Sequence, residues 1–102
     1  MAEIPLQELT VESFAPHVGS SFSAHLAAGD MVPLELSHAQ AVGPPPHPGN
    51  RQQFALHFRG AGPRILQQAI YRLEHPVLDT LEIFLVPVGR DGASILYEAI
   101  FT

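Results

Sequence analysis

The apolar residues of this chain change their spacing at residue 20, and that change constrains the fold more than any other feature. Before it they fall at near-helical intervals; after it they recur at every second position. A period of two marks strands that bury one face, so most of the chain reads as sheet. Phe22, Ala24 and Leu26 alternate with Ser21, Ser23 and His25, and Val32, Leu34 and Leu36 follow the same rule. Phe54, Leu56 and Phe58 form a third such set and Tyr71, Leu73 and His75 a fourth. Two more strands, 81–88 and 95–101, flank Gly89-Arg90-Asp91-Gly92, whose Asp-Gly pair signals a turn. The expected fold is mainly β: a six-stranded antiparallel small barrel or sandwich with one short N-terminal helix.

Ten prolines punctuate this pattern. Pro33 puts the start of the second strand at an edge, and Pro76 ends the fourth. Residues 43–50, with four prolines and two glycines, form a stiff inter-strand loop. Residues 60–64 close the third strand, and 65–69 read as a loop or one helical turn. The helix is expected over 10–18. Thr10 caps it, Glu12 sits near the positive end of its dipole, and Leu9 and Phe14 are placed for a hydrophobic staple. Pro16 then denies it an N–H, Gly19 suits its end, and Phe14 and Val18, four apart, point inward. The chain is read as one domain over 1–102: an extension 1–9, the helix 10–18, and a sheet domain 20–102 carrying the loop 43–50.

The last two strands differ from the others because both faces are apolar. Leu81, Ile83 and Leu85 lie on one face of the first and Phe84, Val86 and Val88 on the other; Ile95, Tyr97 and Phe101 oppose Leu96 and Ile100 on the second. Burial on both sides is expected, with the helix, Leu6 and Leu9 covering the second face. The alternative is an exposed apolar face that docks a partner or a second copy, with Phe84, Tyr97 and Phe101 as anchors.

Composition removes several chemistries. The chain has no cysteine, hence no disulfide, no thiolate nucleophile and no Cys-based zinc site. A net charge of −5, with the five arginines scattered one per segment and no lysine, argues against nucleic acid as a partner. The N-terminus lacks the basic and apolar regions of a signal peptide, and no apolar run approaches a membrane span. A cytoplasmic protein is expected.

The six histidines, at positions 17, 25, 38, 47, 57 and 75, show no metal-ligand spacing, so strand histidines in solvent are the plain reading and no metal or other cofactor is assigned. Were all six to gain a proton, the charge would pass from −5 through zero to +1, and a solubility minimum is expected between about pH 5 and 6. Glu82 and Glu98 imitate a glycosidase pair, but Arg72 on the neighbouring strand makes a cross-strand charge ladder the simpler use. Ser20 and Ser21 lack a nucleophile elbow, and Gly60-Ala61-Gly62 is stopped by Pro63 before it becomes a dinucleotide fingerprint. No catalytic residue is assigned. If the barrel has an open mouth, Tyr71, His57 and Arg59 are the candidates to line it for a small ligand.

Residues 9–22, LTVESFAPHVGSSF, and 71–101, above all YRLEHP followed by FLVPVG, resemble a family of small bacterial proteins defined as a domain of unknown function. Members of that family often have glycine where this chain has Ala69 and again near Asp79, departures that touch turn geometry. The resemblance implies no activity and no catalytic residue. It implies relatives encoded beside proteins of the phage tail-collar, microcystin-dependent type. The function it favours is a noncatalytic interaction module, an assembly partner of a tail-collar-like or surface-appendage protein. A small-ligand-binding barrel is the alternative, and a histidine-metal enzyme comes third.

Overall fold

The computed structural model describes residues 9–102. Its strands are β1 (Ser21–His25), β2 (Met31–Ala41), β3 (Phe54–Ala61), β4 (Ala69–His75), β5 (Asp79–Asp91) and β6 (Ser94–Phe101). They pair antiparallel in the order β1-β2-β3-β6-β5-β4, and β4 returns to β1, so the sheet is a closed barrel rather than a sandwich.

The alternation seen in the sequence becomes inside and outside. Phe22 and Ala24 of β1, Leu34 and Leu36 of β2, Phe54, Leu56 and Phe58 of β3 and Leu73 of β4 are buried in one cluster, joined by Leu81, Ile83 and Leu85 of β5 and Ile95, Tyr97 and Phe101 of β6. Each large apolar side chain taken wholly out of water contributes about 1.5–3 kcal/mol, which is why the register cannot slip by one residue. Pro33 lies opposite Ser23, just beyond the β3 ladder that begins at Leu34.

Both ends of the barrel are plugged. At one end stands the helical segment, which is shorter than expected: an α-turn α1 (Val11–Phe14), then a 3-10 turn over Ala15–His17. Pro16 cannot supply the N–H of the next α-helical bond, so the chain tightens instead of continuing. Ser13 Oγ accepts the Thr10 N–H at 3.0 Å, which closes the first turn. Leu9 and Phe14 enter the core, and the Phe14 ring packs 5.9 Å from Phe54 and 5.8 Å from Phe101. Val18, expected inward, has left the helix for an extended conformation and is 45% exposed.

The other end is closed by the link between β3 and β4, strands that are not neighbours. Residues 62–68 are irregular and contain no helical turn. Leu66 enters the core from this link, and its N–H donates to the buried Tyr97 hydroxyl at 2.9 Å.

Two strands run longer than their apolar patterns. β2 continues to Ala41 through a bulge at Ser37, where Leu36 pairs with Phe58 and His38 with His57. β5 continues to Asp91 through an irregularity between Pro87 and Gly89, moving the hairpin turn from 89–92 to Gly92-Ala93, where Gly92 takes φ 62°.

Candidate interaction surface

With one face of every strand committed to the core, the outward positions are what the barrel offers to other molecules. On β4, β5 and β6 several of these are apolar. Ile70 pairs directly with Phe84 across β4 and β5, and Phe84 and Ile100 edge one depression of about 210 Å³ together with Arg51. Ile70, Phe84 and Ile100 are 68%, 49% and 54% exposed. Ile100 in turn pairs with Ala55 of β3, so the apolar row runs across four strands. Arg72 and Glu82 form the next cross-strand pair, their charged groups 4.0 Å apart.

The expectation that this second face is buried does not survive. The helical segment packs on the end of the barrel through Phe14, not over β5 and β6, and Leu9 goes with it into the core. Leu6 lies outside the described residues. The three anchor candidates separate accordingly. Phe84 faces out, whereas Tyr97 is 1% and Phe101 5% exposed, because β6 turns its odd-numbered residues inward. Phe101 stacks on Phe54 with ring centroids 4.5 Å apart, which makes it part of the plug. Ile70 is the surface residue that sequence reasoning missed; it shares the outward parity of Arg72 and Glu74 but precedes the expected start of the strand.

Of the ligand-mouth candidates, His57 and Arg59 come together on one wall and Tyr71 lies apart from them. β3 and β4 are not adjacent in the ring, and the interior between them is filled by side chains, so the three residues do not line one mouth. Tyr71 is half-buried against the core, and its hydroxyl donates to the Gln67 carbonyl at 2.6 Å. Burial pushes the Tyr71 phenol above its ordinary value, Tyr97 adds to this, and Arg64 opposes it. His57 and Arg59 lie on the outer wall instead. His57 Nε2 is 3.0 Å from Glu98 Oε2, and Arg59 Nη2 donates to Asp91 Oδ2 at 2.8 Å. With Ser37, His38, Gln40, Val88 and Leu96 they line a shallow groove of about 380 Å³ beside the β2 bulge.

Several titratable side chains are paired across strands. His25 Nε2 is 2.7 Å from Glu74 Oε1, and of the charge ladder expected from the sequence the Arg72–Glu82 contact forms, while Glu98 pairs with His57. Among the described residues no group of three His, Asp or Glu side chains converges as a metal site would require. Ser20 Oγ and His75 Nε2 stand 2.9 Å apart, the spacing of a nucleophile and its base. The other ring nitrogen, however, accepts the backbone N–H groups of Val77 and Leu78 at 3.1 and 3.2 Å. The neutral imidazole therefore keeps its proton on Nε2 and has no lone pair to take one from Ser20. Nothing in the sequence announces this pair, because the two residues meet only when β4 closes on β1.

Among the described residues no helix is long and apolar enough to cross a membrane. No curated protein and no solved structure matches the chain. The family model described as Domain of unknown function (DUF6916) matches residues 9–101. That span covers every strand of the barrel and both of its plugs, and the chain belongs to this family.

Proposed function

We propose that this barrel is a noncatalytic accessory module that docks a protein partner on the outer wall of β4, β5 and β6. The observation that carries the reading is the row Ile70–Phe84–Ile100, three large apolar side chains about half exposed on adjacent strands of a fold whose core is otherwise complete. Scattered surface hydrophobics are ordinary; a contiguous row rimmed by Arg72, Glu82 and Glu98 has the make-up of an interface centre and its polar edge. The partner we assign is a tail-collar-like or other surface-appendage protein that presents a complementary apolar patch, in keeping with the relatives implied by the YRLEHP and FLVPVG motifs.

The test is a pull-down and titration of the purified protein against a tail-collar-type protein of the same host. Wild type is expected to form a stable complex, and Phe84→Ser to weaken it about tenfold or more, the loss typical of a central aromatic. Absence of a complex, or binding untouched by both Phe84→Ser and Ile70→Thr, overturns the assignment.

A further inference from the structure

β4 ends at His75, Pro76 turns the chain, and β5 begins at Asp79. The His75 ring is 7% exposed, and both of its nitrogens are hydrogen-bonded to protein groups. Its Nδ1 accepts from Val77 and Leu78 in the turn, and its Nε2–H donates to Ser20 Oγ, whose own hydroxyl donates to the His17 carbonyl. One neutral imidazole thus fastens the β4–β5 turn, the entry to β1 and the 3-10 turn that carries the plug.

We propose that His75 is an acid-operated latch on this end of the barrel: a proton on Nδ1 releases the β4–β5 turn and loosens the helical plug Val11–His17. A second N–H at Nδ1 points at the two backbone N–H groups that Nδ1 accepts in the neutral ring, so both lose that bond and face a like dipole. The His17 ring lies 4.8 Å away on the 3-10 turn and repels the imidazolium once charged, and the Phe22 ring of β1 lies 4.5 Å away and offers no hydrogen-bond acceptor.

Two carboxylates border the site from the strands. Asp79 stands opposite His75 in the β4–β5 ladder, and its buried Oδ1 makes no hydrogen bond to the neutral ring. Glu74 faces the outside of the barrel, where it is held by His25. Burial, and after it His17, keep His75 below the ordinary histidine value, in line with a site built for the neutral ring. Opening this end uncovers the packed rings of Phe14, Phe54 and Phe101.

Amide hydrogen exchange on the full chain, corrected for intrinsic rates and followed at pH 7.5 and 5.0, reads the latch directly. The amides of Val77, Leu78, Val18 and Ser20 are expected to open at least tenfold more at pH 5.0, while those of Leu56 and Tyr97 stay unchanged. His75→Gln removes the titration and is expected to flatten the response. Should that variant not fold, Ser20→Ala separates the two arms: acid sensitivity persists at Val77 and Leu78 and disappears at Val18. Equal protection of Val77 and Leu78 at both pH values overturns the proposal. So does acid loosening that survives His75→Gln, or a nitrogen NMR spectrum at pH 7.5 showing the proton on Nδ1.

Discussion

Arg51 Nη1 donates to the Leu9 carbonyl at 2.6 Å. The same guanidinium donates from Nε to the Thr102 carbonyl at 3.1 Å and lies 5.5 and 5.6 Å from the ring centres of Phe54 and Phe101. One side chain therefore pins the start of the plug, the end of β6 and the aromatic pair between them.

Arg51→Ala is expected to cost about 2 kcal/mol, from two charge-assisted bonds and a cation–π contact discounted for partial exposure. In a domain of this size that lowers the melting temperature by roughly 10 °C in a thermal scan. Arg51→Lys should recover little, because an ammonium cannot span both carbonyls while lying flat on the rings. Full recovery with lysine would show that charge alone matters here.

Asp79 holds φ 65°, the only non-glycine residue with positive φ among those described. Its buried Oδ1 has no hydrogen-bond partner, so that oxygen gives nothing in return for the strain. Asp79→Gly is expected to raise stability by about 0.5 kcal/mol, the relief of left-handed strain less the greater freedom of glycine in the unfolded chain. Asp79→Ala should lower it by about 1 kcal/mol. Urea midpoints for the two variants on the same side of wild type would refute the strain account.

The packed interior can be tested at two glycines. A Cβ on Gly60 would come within 2.8 Å of Leu34 Cδ2 and 3.2 Å of Tyr97 Cε2, whereas one on Gly89 meets nothing within 4 Å. Gly60→Ala is therefore expected to cost about 1–3 kcal/mol by overpacking, and Gly89→Ala to stay within about 0.5 kcal/mol of wild type. A cavity large enough for a ligand would make the first substitution harmless, which denaturant melts can decide.

His75 sets a direction for stability against pH. Its folded value lies below the ordinary 6.5, so between the two the unfolded chain binds the proton and the folded one does not. The stabilisation is complete above about pH 6.5 and is lost as pH falls toward the folded value. Urea midpoints should therefore decline on going from pH 7.5 to 5, and less so in His75→Gln. A midpoint that rises over this window would contradict the assignment.

Acidification also discharges the surface. Five protons on the remaining histidines would bring the net charge from −5 to zero even with His75 neutral. With Ile70 and Phe84 exposed side by side, self-association is expected between about pH 5 and 6, and Ile70→Thr with Phe84→Ser should reduce it. Unchanged light scattering of wild type across that window would remove this expectation.

The sheet was legible because Phe22, Leu34, Leu56, Leu73 and Ile83 sit on a period of two, and burial reads that period directly. Strand ends were less legible. β2 beyond Ser37 holds His38, Ala39, Gln40 and Ala41, with no large apolar residue to mark it, and a bulge that shifts its register. The surface was hardest to read. Tyr97 and Phe84 are both aromatic residues in apolar strands, and only the parity imposed by the closed ring assigns one to the core and the other to solvent. The Ser20–His75 contact depends on strand order, which no local pattern encodes.

The ring closes where β1 meets β4, and this seam holds only three residue pairs: Ser23 with Glu74, Ala24 with Leu73 and His25 with Arg72. Every other ladder is longer. Two histidine side chains stitch it from opposite sides, His25 to Glu74 on the outer wall and His75 to Ser20 at the end closed by the helical segment. The barrel thus has a built-in point of first rupture. A chain that parts there becomes an open sheet with β1 and β4 as bare edges, free to pair with the same edges of another molecule.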